Sequence, residues 1–279
     1  MPLTDLKTIL SAARRNSAAA GAFSVSNLEM IHGVIRAAEE TGTPVILQVA
    51  ECRLETNPLY LLAPAMLSAA KEATVPVCVH LDHGLTFDCI GEALSRGFTS
   101  VMYDGSKLTT DENIRGTLRV METARKFGAD AEAEIGRIGK SESGEDCKPE
   151  CADPDECIRF IEKTGVTALA VAIGNAHGVY QGTPLLRFDI LEKIREKTDT
   201  PLVLHGGTGL SANDFRACIA LGVNKINIAT ATFSACRDAA QNAEDYFDMS
   251  RRMEQASYES AKRHIDLFGH FTLKQEKKA

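Results

Sequence analysis

Eight times along the chain, a short run of apolar and β-branched residues gives way to a longer stretch in which apolar residues recur three and four apart. The runs are GAFSVS from residue 21, PVILQVA from 44, PVCVHLDHG from 76, SVMYDG from 100, ADAEAEIG from 129, ALAVAIG from 168, PLVLHGG from 201 and KINIAT from 225. Runs of this length and composition read as strands buried on both faces. In the stretches between, Leu28, Ile31, Ile35 and Ala38 share one helical face, and Ile158 and Ile161 lead to a stop at Thr164 and Gly165. Three strands open directly after a proline (TGTPV, ATVPV, TDTPL), where the missing N–H interrupts no interior ladder. This alternation predicts an α/β fold with a parallel sheet, either a closed (β/α)8 TIM barrel or an open doubly wound sheet. Eight units without a linker between them favour the closed barrel.

Before the first unit, LTDLKTILSAARRN places Leu3, Leu6, Ile9, Leu10 and Ala13 on one face, an extra N-terminal helix expected to plug the barrel's amino-terminal end. From about Asp238 through SAKRHIDLFG the pattern gives one or two further C-terminal helices, followed by the polar tail QEKKA. The expectation is one domain over residues 1–279, a length ordinary for a single barrel of about 250 residues.

Composition narrows the partners. The formal charge of -7 disfavours nucleic acid and anionic membrane surfaces, so any phosphate must be bound locally. MPLTDLKTIL has neither the basic region nor the apolar run of a signal peptide, and no run of 18 apolar residues follows. A soluble, cytoplasmic protein is the resulting expectation. The eight cysteines are scattered and read as reduced thiols; Cys147, Cys151 and Cys157 cluster, but not at paired C-x2-C zinc spacing.

In a parallel barrel all strand carboxyl ends meet at one face, where the active sites of this architecture sit. Asp82 and His83 end strand three, Asp104 strand four, Glu132 and Glu134 strand five, Asn175 and His177 strand six, and His205 strand seven. His83, His177 and His205 together offer three imidazole nitrogens to a zinc ion with a coordination position left open. His80 lies deeper on the Asp82 face and reads as a core hydrogen-bonding residue. Asp82 and His83 point oppositely in a regular strand, so both reach the mouth only if the chain turns there, and Gly84 permits that turn. LHGGTGLSAND, residues 204–214, is a glycine-rich exit from strand seven into a helix capped by Ser211. With Gly206, Gly207 and Thr208, and with Asn227, Ile228, Ala229 and Thr230 ending strand eight, it forms a candidate phosphate corner.

These residues together resemble the class II, zinc-dependent ketose-bisphosphate aldolases of the fructose- and tagatose-bisphosphate type. DHG at 82–84, DGS at 104–106, EAEIG at 132–136, AIGNAHGVYQG at 172–182, LHGGTG at 204–209 and KINIAT at 225–230 stand in the family's order and spacing, over roughly residues 4–270. The resemblance implies that His83, His177 and His205 hold the catalytic Zn2+, and that Asp82 donates the proton to the aldehyde oxygen. Asp104 and Glu134 match positions that bind a second metal or assist the first. Gly178 joins Gly206, Gly207, Thr208, Asn227 and Thr230 around the phosphate of dihydroxyacetone phosphate, with a monovalent cation, Na+ or K+, nearby. Glu142 matches a loop carboxylate that removes a C3 proton from that ketone. The substrate implied is a phosphorylated sugar; independently of the resemblance, the terminal helices give the expectation of a homodimer or homotetramer.

Cleaving C3 from C4 of a ketose phosphate leaves an enediolate, whose charge a Lewis-acid metal stabilises. A Schiff-base aldolase instead needs a desolvated lysine at the site; strand six has none, and Lys225 reads as opening strand eight at the opposite end of the barrel. Ser24, Ala50 and Ala229 stand where family members commonly carry asparagine, serine and aspartate, and Ala229 is nearer the tagatose-bisphosphate type. The aldehyde half therefore stays open, as do a zinc hydrolase on the same barrel and a noncatalytic aldolase-like subunit.

Overall fold

The computed structural model describes residues 2–139, 149–180, 182–241 and 243–273. Eight parallel strands close into a barrel in chain order: β1 Ala20–Ser24, β2 Val45–Ala50, β3 Val77–Gly84, β4 Ser100–Tyr103, β5 Asp130–Ile135, β6 Ala168–Val171, β7 Leu202–Leu204 and β8 Val223–Ile228. Closure is made by β8 on β1, with Ala20 opposite Lys225 and Phe23 opposite Ile228. The open doubly wound alternative is thereby excluded, and the (β/α)8 expectation holds. β2, β3 and β7 each begin on the residue after Pro44, Pro76 and Pro201.

Helices cover the barrel: α1 Leu6–Arg15, α2 Leu28–Thr41, α3 Leu59–Glu72, α4 Phe87–Arg96, α5 Thr110–Lys126, α6 Pro154–Thr164, α7 Phe188–Arg195, α8 Ala212–Ala220, α9 Thr230–Gln241 and α10 Tyr246–Phe268. Their ends carry local stop and start chemistry. Asn27 caps α2, accepting from the Met30 N–H at 2.9 Å, and Gly42 ends it in the left-handed region. Ser211 and Asp214 cap α8 reciprocally, as the sequence indicates. The C-terminal helices begin earlier than the sequence pattern places them, at Thr230, directly on the end of β8.

Period-two alternation sorts every strand into two layers. On β2, Val45, Leu47 and Val49 face the helices in the main core, while Ile46 faces the barrel interior. At the amino-terminal end that interior is small and apolar, with Ala20, Ala22, Ile46, Cys78, Ala168, Ala170 and Val203 packed against Leu6, Ile9, Leu10, Ala12 and Ala13 of α1. The alanines leave the space that the α1 side chains fill, and each fully buried leucine or isoleucine contributes roughly 1.5–3 kcal/mol. Asp130, the first residue of β5, locks the plug by accepting the Lys7 N–H at 2.6 Å.

Cys78, Cys89, Cys151, Cys157, Cys218 and Cys236 are free thiols, four of them buried; Cys147 lies outside the described residues. Among the described residues, no helix is long and apolar enough to cross a membrane.

Candidate functional site

Each strand-end histidine is brought to the barrel mouth by a different device. His83 takes φ +43, and the pairing of β3 with β4 slips between Leu81 and Gly84. The bulge turns the ring inward at a conformational cost of roughly 1–3 kcal/mol for a non-glycine residue. The turn thus falls within the Asp82–Gly84 junction, as expected, with His83 itself taking the left-handed conformation. Gly84 serves close approach: a Cβ there would lie 2.4 Å from the Met102 carbonyl oxygen.

His177 sits in the loop after β6, where its N–H donates to the Gly139 carbonyl at 3.0 Å. Two residues earlier, Asn175 accepts from the Ile173 N–H at 2.8 Å and donates to the His205 carbonyl at 2.9 Å, tying this loop to the end of β7. Gly206, at φ +64, lets that end pass the β6 loop, since a Cβ would lie 2.2 Å from the Ala176 carbonyl oxygen. The Tyr180 hydroxyl closes the junction, accepting from Ala176 N–H and donating to Gly206 O at 3.1 and 3.0 Å.

The result is a three-imidazole cluster. One nitrogen from each of His83, His177 and His205 lies within 4.8 Å of the other two. His83 Nε2 and His205 Nδ1 face each other at 2.9 Å. The far nitrogens are held by carboxylates: His83 Nδ1 by Asp104 Oδ2 at 2.8 Å, and His205 Nε2 by Glu132 Oε1 at 3.0 Å. A carboxylate on the outer nitrogen is how metal-binding histidines are oriented. A tetrahedral zinc with nitrogens at about 2.0–2.1 Å separates neighbouring ligands by about 3.3 Å, so opening the His83–His205 pair by a few tenths of an ångström accommodates it. The donor set fits zinc.

Asp104 and Glu134 flank the cluster, and His83, Asp104 and Glu134 form a second group with ligand atoms within 4.8 Å of one another. Glu134 Oε2 lies 3.6 Å from His205 Nδ1. Burial opposes ionisation of Asp104, but hydrogen bonds from His83 and from the Ser106 hydroxyl and N–H hold its carboxyl well below the usual range. Burial also opposes protonation of His83, yet Asp82 and Asp104 outweigh it and raise its pKa. His205 shifts down, through burial and the neighbouring His83, and Glu134 shifts up, through burial and the charge on Asp104.

Asp82 is buried beside the cluster, with Oδ1 accepting from Asn227 Nδ2 and Oδ2 from Gln48 Nε2, both at 3.0 Å. Gln48 also donates to Ser24 Oγ at 3.2 Å. A cleft continues from this carboxylate, lined by Gln48, Asp82, His177, Gly178, Gly206, Thr208, Asn227, Ala229 and Thr230. The N-terminus of α9 opens onto it, and helix N-termini attract anions. Thr208 Oγ1 accepts from the Ala231 N–H at 3.0 Å, which leaves its own proton to donate.

Several sequence expectations change here. Ile228 belongs to the outer layer: its side chain is fully buried in the main core between strands and helices, because alternation puts Asn227 inward and Ile228 outward. Gly207 does not line the cleft; its N–H donates to the Asn227 carbonyl at 3.2 Å. Glu142 lies outside the described residues. His80 is a core residue as expected, with Nδ1 2.9 Å from Ser100 Oγ and its pKa lowered by burial and Lys225.

Lys225 is the largest correction. It is the third residue of β8, fully buried, and its side chain climbs the inside of the barrel to the underside of the site. Nζ lies 2.9 and 3.2 Å from the two Glu132 oxygens and 2.8 Å from Asn227 Oδ1. An ammonium committed to three oxygens is not a free amine, so a Schiff-base role stays excluded, but by its partners and not by its position. Gln48 and the supporting role of Glu132 also escaped the sequence; period two along β2 and β5 is the signal that places both inward.

The chain matches the family profile described as fructose-bisphosphate aldolase class-II over residues 4–271. A fructose-bisphosphate aldolase of Staphylococcus aureus (strain Mu50) is 38% identical over 282 residues, covering 96% of this chain and 98% of that one. A probable fructose-bisphosphate aldolase of Bacillus subtilis (strain 168) is 42% identical over 236 residues, covering 82% of each. Among solved structures, the YdjI aldolase from Escherichia coli K12 superposes with a TM-score of 0.86 at 35% identity, covering 96% of this chain and 98% of that one. A putative fructose-1,6-bisphosphate aldolase from Coccidioides immitis gives 0.87 at 30% identity, covering 93% and 94%.

Proposed function

The chain belongs to the class-II fructose-bisphosphate aldolase family, and from that premise we propose that it is a zinc-dependent aldolase reversibly cleaving a ketose 1,6-bisphosphate of the tagatose or fructose type. The products are dihydroxyacetone phosphate and an aldehyde such as glyceraldehyde 3-phosphate. The observation that carries this reading is the convergence of three imidazole nitrogens beside a buried carboxylate and an anion-accepting helix terminus.

His83, His177 and His205 would hold the zinc, with Asp104 and Glu134 beside it. When bound, the metal supplies Lewis-acid stabilisation of the charge that develops on the ketone half as C3 parts from C4. The remaining work falls to side chains. Gly178, Gly206, Thr208 and Thr230 bind the phosphate of the ketone half against the N-terminus of α9, which sets the position of the reacting carbons. A Na+ or K+ ion beside that phosphate is part of the same proposal.

Asp82 moves the proton at the aldehyde oxygen. In cleavage its carboxylate accepts the C4 hydroxyl proton, and in condensation it returns that proton to the aldehyde oxygen. The Asn227 and Gln48 amides hold both carboxylate oxygens in place for this. Glu142 is the proposed base at C3 of the ketone half. Ser24 and Ala50 are small and buried near Gln48, and neither supplies a cation for a second phosphate, so the aldehyde half is decided by experiment.

The test is condensation of dihydroxyacetone phosphate with a panel of phosphorylated and unphosphorylated aldehydes, ranked by kcat/KM before and after zinc removal. Carbon–carbon bond formation that disappears with the metal and returns with Zn2+ is expected. Activity that survives complete removal, or no condensation with any aldehyde, contradicts the reading.

A further inference from the structure

Lys225 is a fully buried cation that takes no part in the chemistry described above. Burying an ammonium is costly unless oxygens surround it, and here Glu132 and Asn227 supply three contacts at 2.8–3.2 Å. Two branches lead upward from it. On one, Glu132 presents Oε1 to both Lys225 and His205 Nε2, at 3.2 and 3.0 Å, so the His205 ring turns Nδ1 toward His83. On the other, an ammonium can only donate, so Asn227 must turn its oxygen to Lys225 and its NH2 to Asp82. His80 Nε2, 3.8 Å from Glu132 Oε2, is the other group facing this carboxylate.

We propose that Lys225 is a positioning residue: through Glu132 it fixes the face of His205 offered to a metal, and through Asn227 it aims an amide donor at Asp82. One buried side chain thereby orients both the metal-binding edge and the proton-transfer carboxylate, which sit on different strands. The metal branch rests on the proposed function; the orientation of His205 and Asn227 does not. The competing role is a counter-charge for Glu132 that keeps the barrel folded and nothing more.

Two variants separate these roles. Lys225→Met removes the ammonium at nearly constant length, and the double variant Lys225→Met/Glu132→Gln removes the charge from both partners, so no buried charge is stranded. Zinc affinity is measured by chelator competition, the metal's surroundings by the visible absorption of the Co2+-loaded protein, and kcat and KM with dihydroxyacetone phosphate. For the double variant the expected result is cooperative unfolding like the parent's, zinc binding weakened about 10–100-fold, altered Co2+ bands, and kcat lowered at least about tenfold with little change in KM. A folded double variant with zinc affinity and kcat within about twofold of the parent overturns the proposal.

Should neither variant fold, the parent decides. In the metal-stripped protein, imidazole nitrogen NMR is expected to show His205 as the Nε2–H tautomer donating to Glu132, and an Nδ1–H tautomer overturns the proposal. A parent that neither binds zinc nor turns over contradicts the proposed function, while the tautomer still judges the Lys225 arrangement separately.

Discussion

At the amino-terminal end of the barrel the inward positions are Ala20, Ala22, Ile46, Cys78, Ala168, Ala170 and Val203, sealed by the apolar face of α1. A few residues further along the same strands they become Ser24, Gln48, Asp82, Glu132, His205 and Asn227, nearly all buried but polar or charged. Both ends are buried, yet one is built by filling space and the other largely by pairing charges, with Glu134 held buried beside Asp104 at a raised pKa. At the mouth, His83 meets Asp104, His205 meets Glu132, Glu132 meets Lys225, and Asp82 meets Asn227 and Gln48. The difference teaches that one closed sheet can hold a stabilising floor and a strained, highly charged site a few ångströms apart, because each strand crosses both.

If that division holds, substitutions at the two ends fail in different ways. The largest effect is expected at the mouth: His205→Ala should lose both zinc and turnover, whereas Asp82→Ala should keep zinc and slow turnover by about 10²–10⁴-fold, the range of one acid–base group. Metal analysis beside steady-state kinetics checks this, and equal metal loss in both variants breaks the assignment of separate roles.

At the floor, Leu10→Ala should cost about 2–5 kcal/mol of stability through the cavity it leaves against the barrel alanines. Urea unfolding measures that cost, and zinc affinity of the folded protein should stay at the parent's value. Weakened zinc binding in this variant would show that the two ends are not independent.

The smallest expected effect is at Asp130, the carboxylate of β5 that sits at the floor. Burial raises its pKa, against the Lys7 N–H that it accepts. A carboxyl whose folded pKa lies above its unfolded value near 3.8 contributes stability that is present below that pH and is lost as pH rises through the folded pKa. Asp130→Asn keeps an oxygen for Lys7 and removes the titration. The stability difference, variant minus parent, should therefore grow in the variant's favour as pH rises from about 4, and a difference that is flat or falls with pH contradicts the sign.

The floor was legible in the sequence because its code is simple. Leu6, Ile9, Leu10 and Ala13 share one helical face, and apolar strands following prolines need covering on both sides. At the mouth, residue types at strand ends point to the three histidines, Asp82, Asp104 and Glu134; the structure clusters the histidines, sets Asp104 and Glu134 beside His83, and puts Asp82 on the adjoining cleft with His177. What escaped was set by three-dimensional detail. The inward turn of His83 depends on a bulge between strands that no spacing reports, and the reach of Lys225 depends on a side chain that lies along the barrel axis. The outward side chain of Ile228 is a different case, since period two assigns it to the outer layer once Asn227 is inward.

The central claim is that imidazoles from the ends of β3, β6 and β7 share one divalent cation. X-ray absorption of the zinc-loaded protein tests it most directly: three imidazole nitrogens at about 2.0–2.1 Å are predicted. Sulfur at about 2.3 Å, or fewer than three imidazoles around the ion, would contradict it.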